Sequence, residues 1–138
     1  MKKTILSLLS ILIFSGCFNP DPNLALKETY WSLIQLQGED IVDYEHQPRP
    51  HIVFHLNDNS LHGSDGCNRI NALYSRNNNN FKVTKIVSTR MICKNGMKEA
   101  NLFLTSLSKA DEIKIEEDNL ILFQADIEVA RFEAIQSY

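Results

Sequence analysis

Three cysteines and four histidines are the side chains of this sequence with the most chemistry to offer, and their spacing sorts them into separate tasks. Cys17 stands directly after the small pair Ser15-Gly16, apart from the others. Cys67 and Cys93 remain as a possible pair, and neither belongs to a Cys-x-x-Cys motif. Joined, they would be a disulfide; left free, one could be a metal ligand or a catalytic thiol. His62 and Asp65 stand close by in sequence, and a cysteine hydrolase assembles its thiol, imidazole and carboxylate in space rather than in order. That chemistry needs a reduced thiol. His51 and His55 have the spacing of a metal-binding helix, but the pattern around them is that of a strand. There they share a face about 13 Å apart, at roughly 3.3 Å per residue, too far to hold one ion together, and a solvent-facing pair is expected.

The cysteines depend on where the chain resides, and its first residues speak to that. Lys2 and Lys3, the apolar run from Ile5 to Phe14, and Ser15-Gly16 carry the marks of a secretory signal. The alternatives are a membrane-spanning anchor or a buried first strand. A spanning helix needs roughly 20 apolar residues, twice what this run has. Phe14-Ser15-Gly16-Cys17 resembles the lipobox of bacterial lipoproteins, with Phe14 where that pattern usually has Leu. The resemblance implies that Cys17 is lipidated and becomes the mature N-terminus, anchoring the protein to a membrane. Phe18 stands where lipoproteins retained at the inner membrane tend to carry Asp, which implies the periplasmic face of the outer membrane. In such an oxidising compartment, pairing of Cys67 with Cys93 is the default.

Removal of residues 1–16 leaves a chain long enough for one domain. Without Lys2 and Lys3, 12 basic residues face 17 acidic ones, a formal charge of −5. That balance does not suit a phosphate backbone, so no nucleic-acid partner is expected. Residues 17–26 contain Pro20 and Pro22 among polar residues and read as a short tether; residues 27–138 are the expected domain.

Within the domain the apolar period is mostly two. Tyr30–Leu36 reads as a strand with Trp31 and Leu33 on one face, and stops at residues 37–40. His51–Leu56 places Ile52, Phe54 and Leu56 together. Residues 57–60 form a turn into Leu61-His62-Gly63. Asn71–Ser75 and Phe81–Val87 flank an asparagine tract, read as a turn whose asparagines tolerate positive φ. The period then changes. Met97, Ala100, Phe103, Leu104, Leu107 and Ala110 form one apolar stripe of a helix, with Gly96 at its N-cap and Glu99 where a negative charge meets the positive helix end. A three-stranded meander closes the chain: Ile113 and Ile115, a turn at residues 117–119, residues 120–124, and residues 127–135. The fold class expected is α+β: a curved, antiparallel, barrel-like sheet of seven or eight short strands with one packed helix.

The residues between these elements form a pattern. Trp31-x-Leu33, then Gly63-Ser64-Asp65-Gly66-Cys67-Asn68, Tyr74, Thr89-Arg90-Met91-Ile92-Cys93 and Glu99 resemble the META domain of the HslJ-like lipoproteins, a family named for heat-inducible bacterial members. The match runs from about Thr29 to Glu133. It implies a non-enzymatic, monomeric envelope protein without cofactor or metal, held to the membrane through Cys17 and linked to stress, with an unidentified envelope protein as partner. The competing expectation is a peptide- or lipid-binding module, or an inhibitor of an envelope hydrolase, similar to the secretin pilotins. Read from the residues themselves, Gly63 and Gly66 mark a bend needing positive φ or close backbone approach, Asn68 turns or caps through its amide, and Thr89 and Met91 lead Cys93 towards the helix. All of these roles are structural.

Overall fold

The computed structural model describes residues 25–55 and 57–135. The signal segment, Cys17, most of the tether and Leu56 lie outside the described residues. Nine strands and one helix follow in the order β1 (Tyr30–Leu36), β2 (Glu39–Asp40), β3 (His51–Phe54), β4 (Ser60–Ser64), β5 (Arg69–Asn77), β6 (Asn80–Ser88), α1 (Met97–Lys109), β7 (Glu112–Glu116), β8 (Asn119–Gln124) and β9 (Ile127–Ile135). The fold is therefore α+β and mostly sheet, as expected. The strand beyond the expected seven or eight is β2, two residues that fold back on the end of β1 through Gln37-Gly38, both at positive φ. Such a pair of left-handed residues gives the twist that a two-residue hairpin needs. A two-residue strand carries no period to read.

All ladders are antiparallel, in the order β2-β1-β3-β4-β5-β6-β7-β8-β9, and β1 also pairs with β9, which bends the sheet into a ring. The ring is not a regular barrel. β1 and β9 share six residue pairs, whereas β6 and β7 meet only at Asn80↔Glu112. Two flanking hydrogen bonds, Phe81 N–H to Asp111 O and Ile113 N–H to Asn79 O, complete that narrow join. α1 lies against β6, β9, β1 and β8.

Bulges decide which side chains face inward. Between Leu33 and Gln35 the β1–β9 register shifts by one residue. Because strand faces alternate with period two, one inserted residue exchanges inside for outside. Leu36 is consequently buried with Trp31 and Leu33, while Gln35 is not. A second shift, in β6, falls at Lys85, which adopts φ 51°. It turns Lys85 outward and brings Ile86 against the core that Phe81 and Val83 already line. The asparagine turn is as expected, with Asn78 carrying the positive φ between Asn77 and Asn80.

The interior is apolar and aromatic. Trp31, Phe54, Phe103 and Phe132 are fully buried with Leu33, Ile52, Leu61, Ile70, Leu107, Ile113 and Leu120. Phe54 meets the edge of Tyr74 at 4.8 Å between ring centres, and Phe103 meets Phe132 at 6.0 Å, both within the range of favourable edge contacts. The helix presents Ala100, Phe103 and Leu107 to this interior, as its stripe requires, and Met97 at the first position stays part-exposed. Leu26 is also buried, and the Trp31 indole N–H donates to its carbonyl at 3.0 Å. Among the described residues, the packing therefore includes Leu26.

Candidate functional site

At one end of the ring, the β4–β5 connection meets the segment that runs from β6 to α1. Both are built from the residues of the Gly-Ser-Asp-Gly-Cys-Asn and Thr-Arg-Met-Ile-Cys motifs. Asp65 organises the first. Its carboxylate is buried, and Oδ1 accepts from the backbone N–H of Cys67 at 2.8 Å and of Asn68, while Oδ2 faces the Asn68 amide at 3.3 Å. Asp65 N–H donates to Asn68 O and closes the turn, and Gly66 N–H donates to Ser64 Oγ. A carboxylate out of water needs these donors.

Asn68 carries the link onward. Its Oδ1 accepts from Met91 N–H at 2.7 Å and from the Thr89 hydroxyl at 3.2 Å. Thr89 Oγ1 in turn accepts from Arg69 N–H at 3.1 Å. Cys67 and Cys93 are joined as a disulfide with Cα atoms 5.8 Å apart. Two loops more than 20 residues apart are therefore fastened by side-chain amide, hydroxyl and sulfur together.

The glycines have distinct reasons. A Cβ on Gly63 would lie 2.0 Å from His51 O on the adjacent strand, so β3 and β4 could not keep their spacing. Gly66 takes φ 92° and packs against Pro50. These are the close approach and the positive φ that the sequence suggested, one at each position.

Beside this knot the segment between β2 and β3 folds over the start of α1. Gln47 Nε2 donates to Asn95 O at 3.2 Å, and Arg49 holds Asp43 through two hydrogen bonds of 2.7 Å. That bonding keeps the Asp43 carboxyl below its ordinary value. Tyr44, Pro50, Asp65, Gly66, Gly96 and Glu99 border a small cleft beside the turn. A wider groove of about 180 Å³ adjoins it, sharing Ile41, Val42 and Glu99, with Leu36 and Leu102 among its other walls.

The structure thus gathers Gly66, Cys67, Asn68, Thr89, Met91 and Cys93 into one knot and sets Glu99 at its margin, exposed on the first turn of α1. Trp31 lies apart, in the core. Met91 takes part through its backbone, with its side chain 58% exposed, and Ile92 beside it is 99% exposed. Sequence reasoning missed Asp65 as the organiser of the turn. Its signal was available in an Asp followed at two and three residues by N–H groups that an Asx turn can use.

His62 does not join Asp65 and Cys67. It lies on the outer face of the sheet with Nδ1 2.8 Å from His55 Nε2. Burial, then the neighbouring His55 and His51, hold the His62 imidazole below its ordinary value. His51 is stacked on Tyr30 at 4.4 Å, with Nδ1 3.0 Å from Arg49 O, and is half-buried rather than facing solvent freely.

A family described as the META domain matches residues 24–136. No curated protein matches the chain. Among solved structures, the chain is similar to an NMR structure of a protein from Burkholderia xenovorans, 18% identical, with a TM-score of 0.66 over 97% of this chain and 100% of that one. A further NMR structure is 20% identical, with a TM-score of 0.63 over 78% of this chain and 90% of that one. Both likenesses concern the fold alone.

Proposed function

Because the chain belongs to the META domain family, we propose that it is a lipid-anchored, non-enzymatic protein of the cell envelope, held through Cys17 at the periplasmic face of the outer membrane and serving as an accessory, stress-linked component. The observation that carries this reading is the use of the motif by the fold itself. Asp65, Asn68 and Thr89 face one another and the backbone, and the two sulfurs face each other. Groups spent in this way are not free to act on a substrate. The leader ending in Ser15-Gly16-Cys17 supports the address, and among the described residues no helix is long and apolar enough to cross a membrane. Attachment by lipid is the mode that this leader supports, and two or more acyl chains hold a protein stably where one does not.

The experiment is metabolic labelling with a fatty acid, followed by separation of inner and outer membranes. The wild type takes up label and sediments with the outer membrane; Cys17→Ala takes up none. Equal incorporation by the two would end this reading.

A second reading is favoured by the groove beside the helix. Leu36, Ile41, Val42 and Leu102 offer an apolar wall, with Val42 63% exposed, and an extended peptide of an envelope protein is the occupant we infer for it. A photo-crosslinker at Val42 in intact cells tests this, with one at Lys82 on β6 as control. A protein captured from Val42 but not from Lys82 supports a binding module, and equal capture overturns it.

A further inference from the structure

We propose that His55 and His62 form a two-imidazole binding site for a late first-row divalent cation, Zn²⁺ or Cu²⁺, on the outer face of the β3–β4 hairpin. The geometry begins with the register. β3 and β4 pair with Val53 opposite His62 and Phe54 opposite Leu61. His55 N–H donates to Ser60 O, continuing the ladder by one residue. The next outward side chain after Val53 is then His55, diagonal to His62 across the hairpin. The two rings lie 4.6 Å apart between centres, and His55 Nε2 and His62 Nδ1 approach to 2.8 Å.

Two nitrogens at that distance share a proton, one donating and the other accepting. A cation can take the place of that proton with both lone pairs turned to it. Around a tetrahedral ion with Zn–N bonds of about 2.0–2.1 Å, two imidazole nitrogens lie about 3.3 Å apart. The pair needs to open by about half an ångström to reach that spacing. The His55 side chain is 42% exposed and has room to do so.

The far side of His55 fits the same use. Glu28 Oε1 lies 3.9 Å from His55 Nδ1. Ligating imidazoles commonly turn their other N–H to a carboxylate, which fixes the ring and raises its basicity. A small closure would make that bond. Among the described residues no group of three His, Cys, Asp or Glu side chains could hold a metal ion, so water completes the coordination and the affinity is modest. Two neutral nitrogens favour Zn²⁺ and Cu²⁺ over the oxygen-seeking Mg²⁺ and Ca²⁺, and Cu²⁺ over Zn²⁺. His51 takes no part, being stacked on Tyr30.

The test is calorimetric titration of the full chain, stripped with chelator, with ZnCl₂ and CuCl₂. It is paired with imidazole ¹⁵N spectra and melting curves of each variant. Expected are one equivalent bound, Cu²⁺ tighter than Zn²⁺, and shifts confined to His55 and His62. His55→Ala and His62→Ala should each weaken Zn²⁺ binding by about tenfold or more, and Glu28→Gln by a smaller factor. His46→Ala, on an exposed side chain paired with Glu45, should change nothing. The proposal is overturned if the wild type binds neither ion, if the His55→Ala/His62→Ala double variant retains wild-type affinity while folded, or if another histidine shifts instead. Exposed single variants that still melt cooperatively keep the result independent of folding.

Discussion

The interior of the ring and the knot at its end are held by opposite kinds of force. The interior is a set of apolar and aromatic side chains, Trp31, Phe54, Phe103 and Phe132 at its centre, whose attraction scales with area and has little direction. The knot is polar: a buried carboxylate, one side-chain amide, two hydroxyls and a disulfide. Its bonds are directional, and each atom has one place. An interior of the first kind tolerates substitutions that conserve volume. In a knot of the second kind, replacing one partner leaves a buried donor or acceptor unsatisfied, which is the costlier change.

The contrast can be broken first from the apolar side. Trp31→Ala empties a fully buried site and also removes the bond to Leu26 O; a loss of about 3–5 kcal/mol is expected, measured by urea unfolding. A midpoint near wild type would mean that the core does not centre on β1. From the polar side, reduction of Cys67–Cys93 releases a loop spanning 26 residues, worth about 3.5 kcal/mol in the chain-entropy account. Alkylation followed by mass spectrometry should find neither of these two thiols free before reductant is added, even in denaturant. One alkylated cysteine of the pair in unreduced protein would remove the knot's covalent part.

A subtler pair sharpens the comparison. Asn68→Ala removes the acceptor of Met91 N–H and of the Thr89 hydroxyl, and the amide contact to Asp65 Oδ2, and about 1–3 kcal/mol should be lost. Leu107→Met, at a fully buried helix position, should cost under about 1.5 kcal/mol. If Leu107→Met proved the costlier, the distinction between the regions would fail. The smallest effect concerns the outer face. His62 is held below its ordinary value, so between that ordinary value, about 6.5, and the lower folded one the unfolded chain binds more protons. The stability contribution is complete above about pH 6.5 and is lost as pH falls through that window. In chelator, wild type should lose about 1–3 °C of melting temperature from pH 7.5 to 5.5 beyond what His62→Asn loses, with His55, His51 and Glu28 as the facing groups. Parallel profiles for the two proteins would show that His62 keeps its ordinary value.

Much of this architecture was legible because period reports burial. The stripe from Ala100 to Leu107 and the alternation through Ile52 and Phe54 needed no partner to be read. What stayed hidden depends on register. A bulge at Lys85 or beside Ile34 changes faces without changing residue types, and β2 is too short to have a period. The same limit hid the histidine pair. His55 and His62 are seven residues apart, and only the hairpin turn between them decides whether they meet. At the knot the residue types were visible but not their roles: the turn expected of Asn68 belongs to Asp65, and Asn68 reaches across to the second loop.

The pairing of β1 with β9 has a consequence in time. Tyr30 lies opposite Ile135, so the ladder that closes the ring joins residues more than a hundred positions apart, and the entropy of that loop must be met before the contact rewards it. The hairpins β4–β5, β5–β6 and β7–β8 can form locally and early; closure is expected to be the late, slow event, in the millisecond-to-second range of sheet proteins with non-local pairing. A growing chain that has not yet added Ile127–Ile135 carries two bare strand edges, on β1 and β8, each able to pair with a neighbour. The nine residues of β9 thus act as a latch, and the ring stays open until they have been made and have paired with β1.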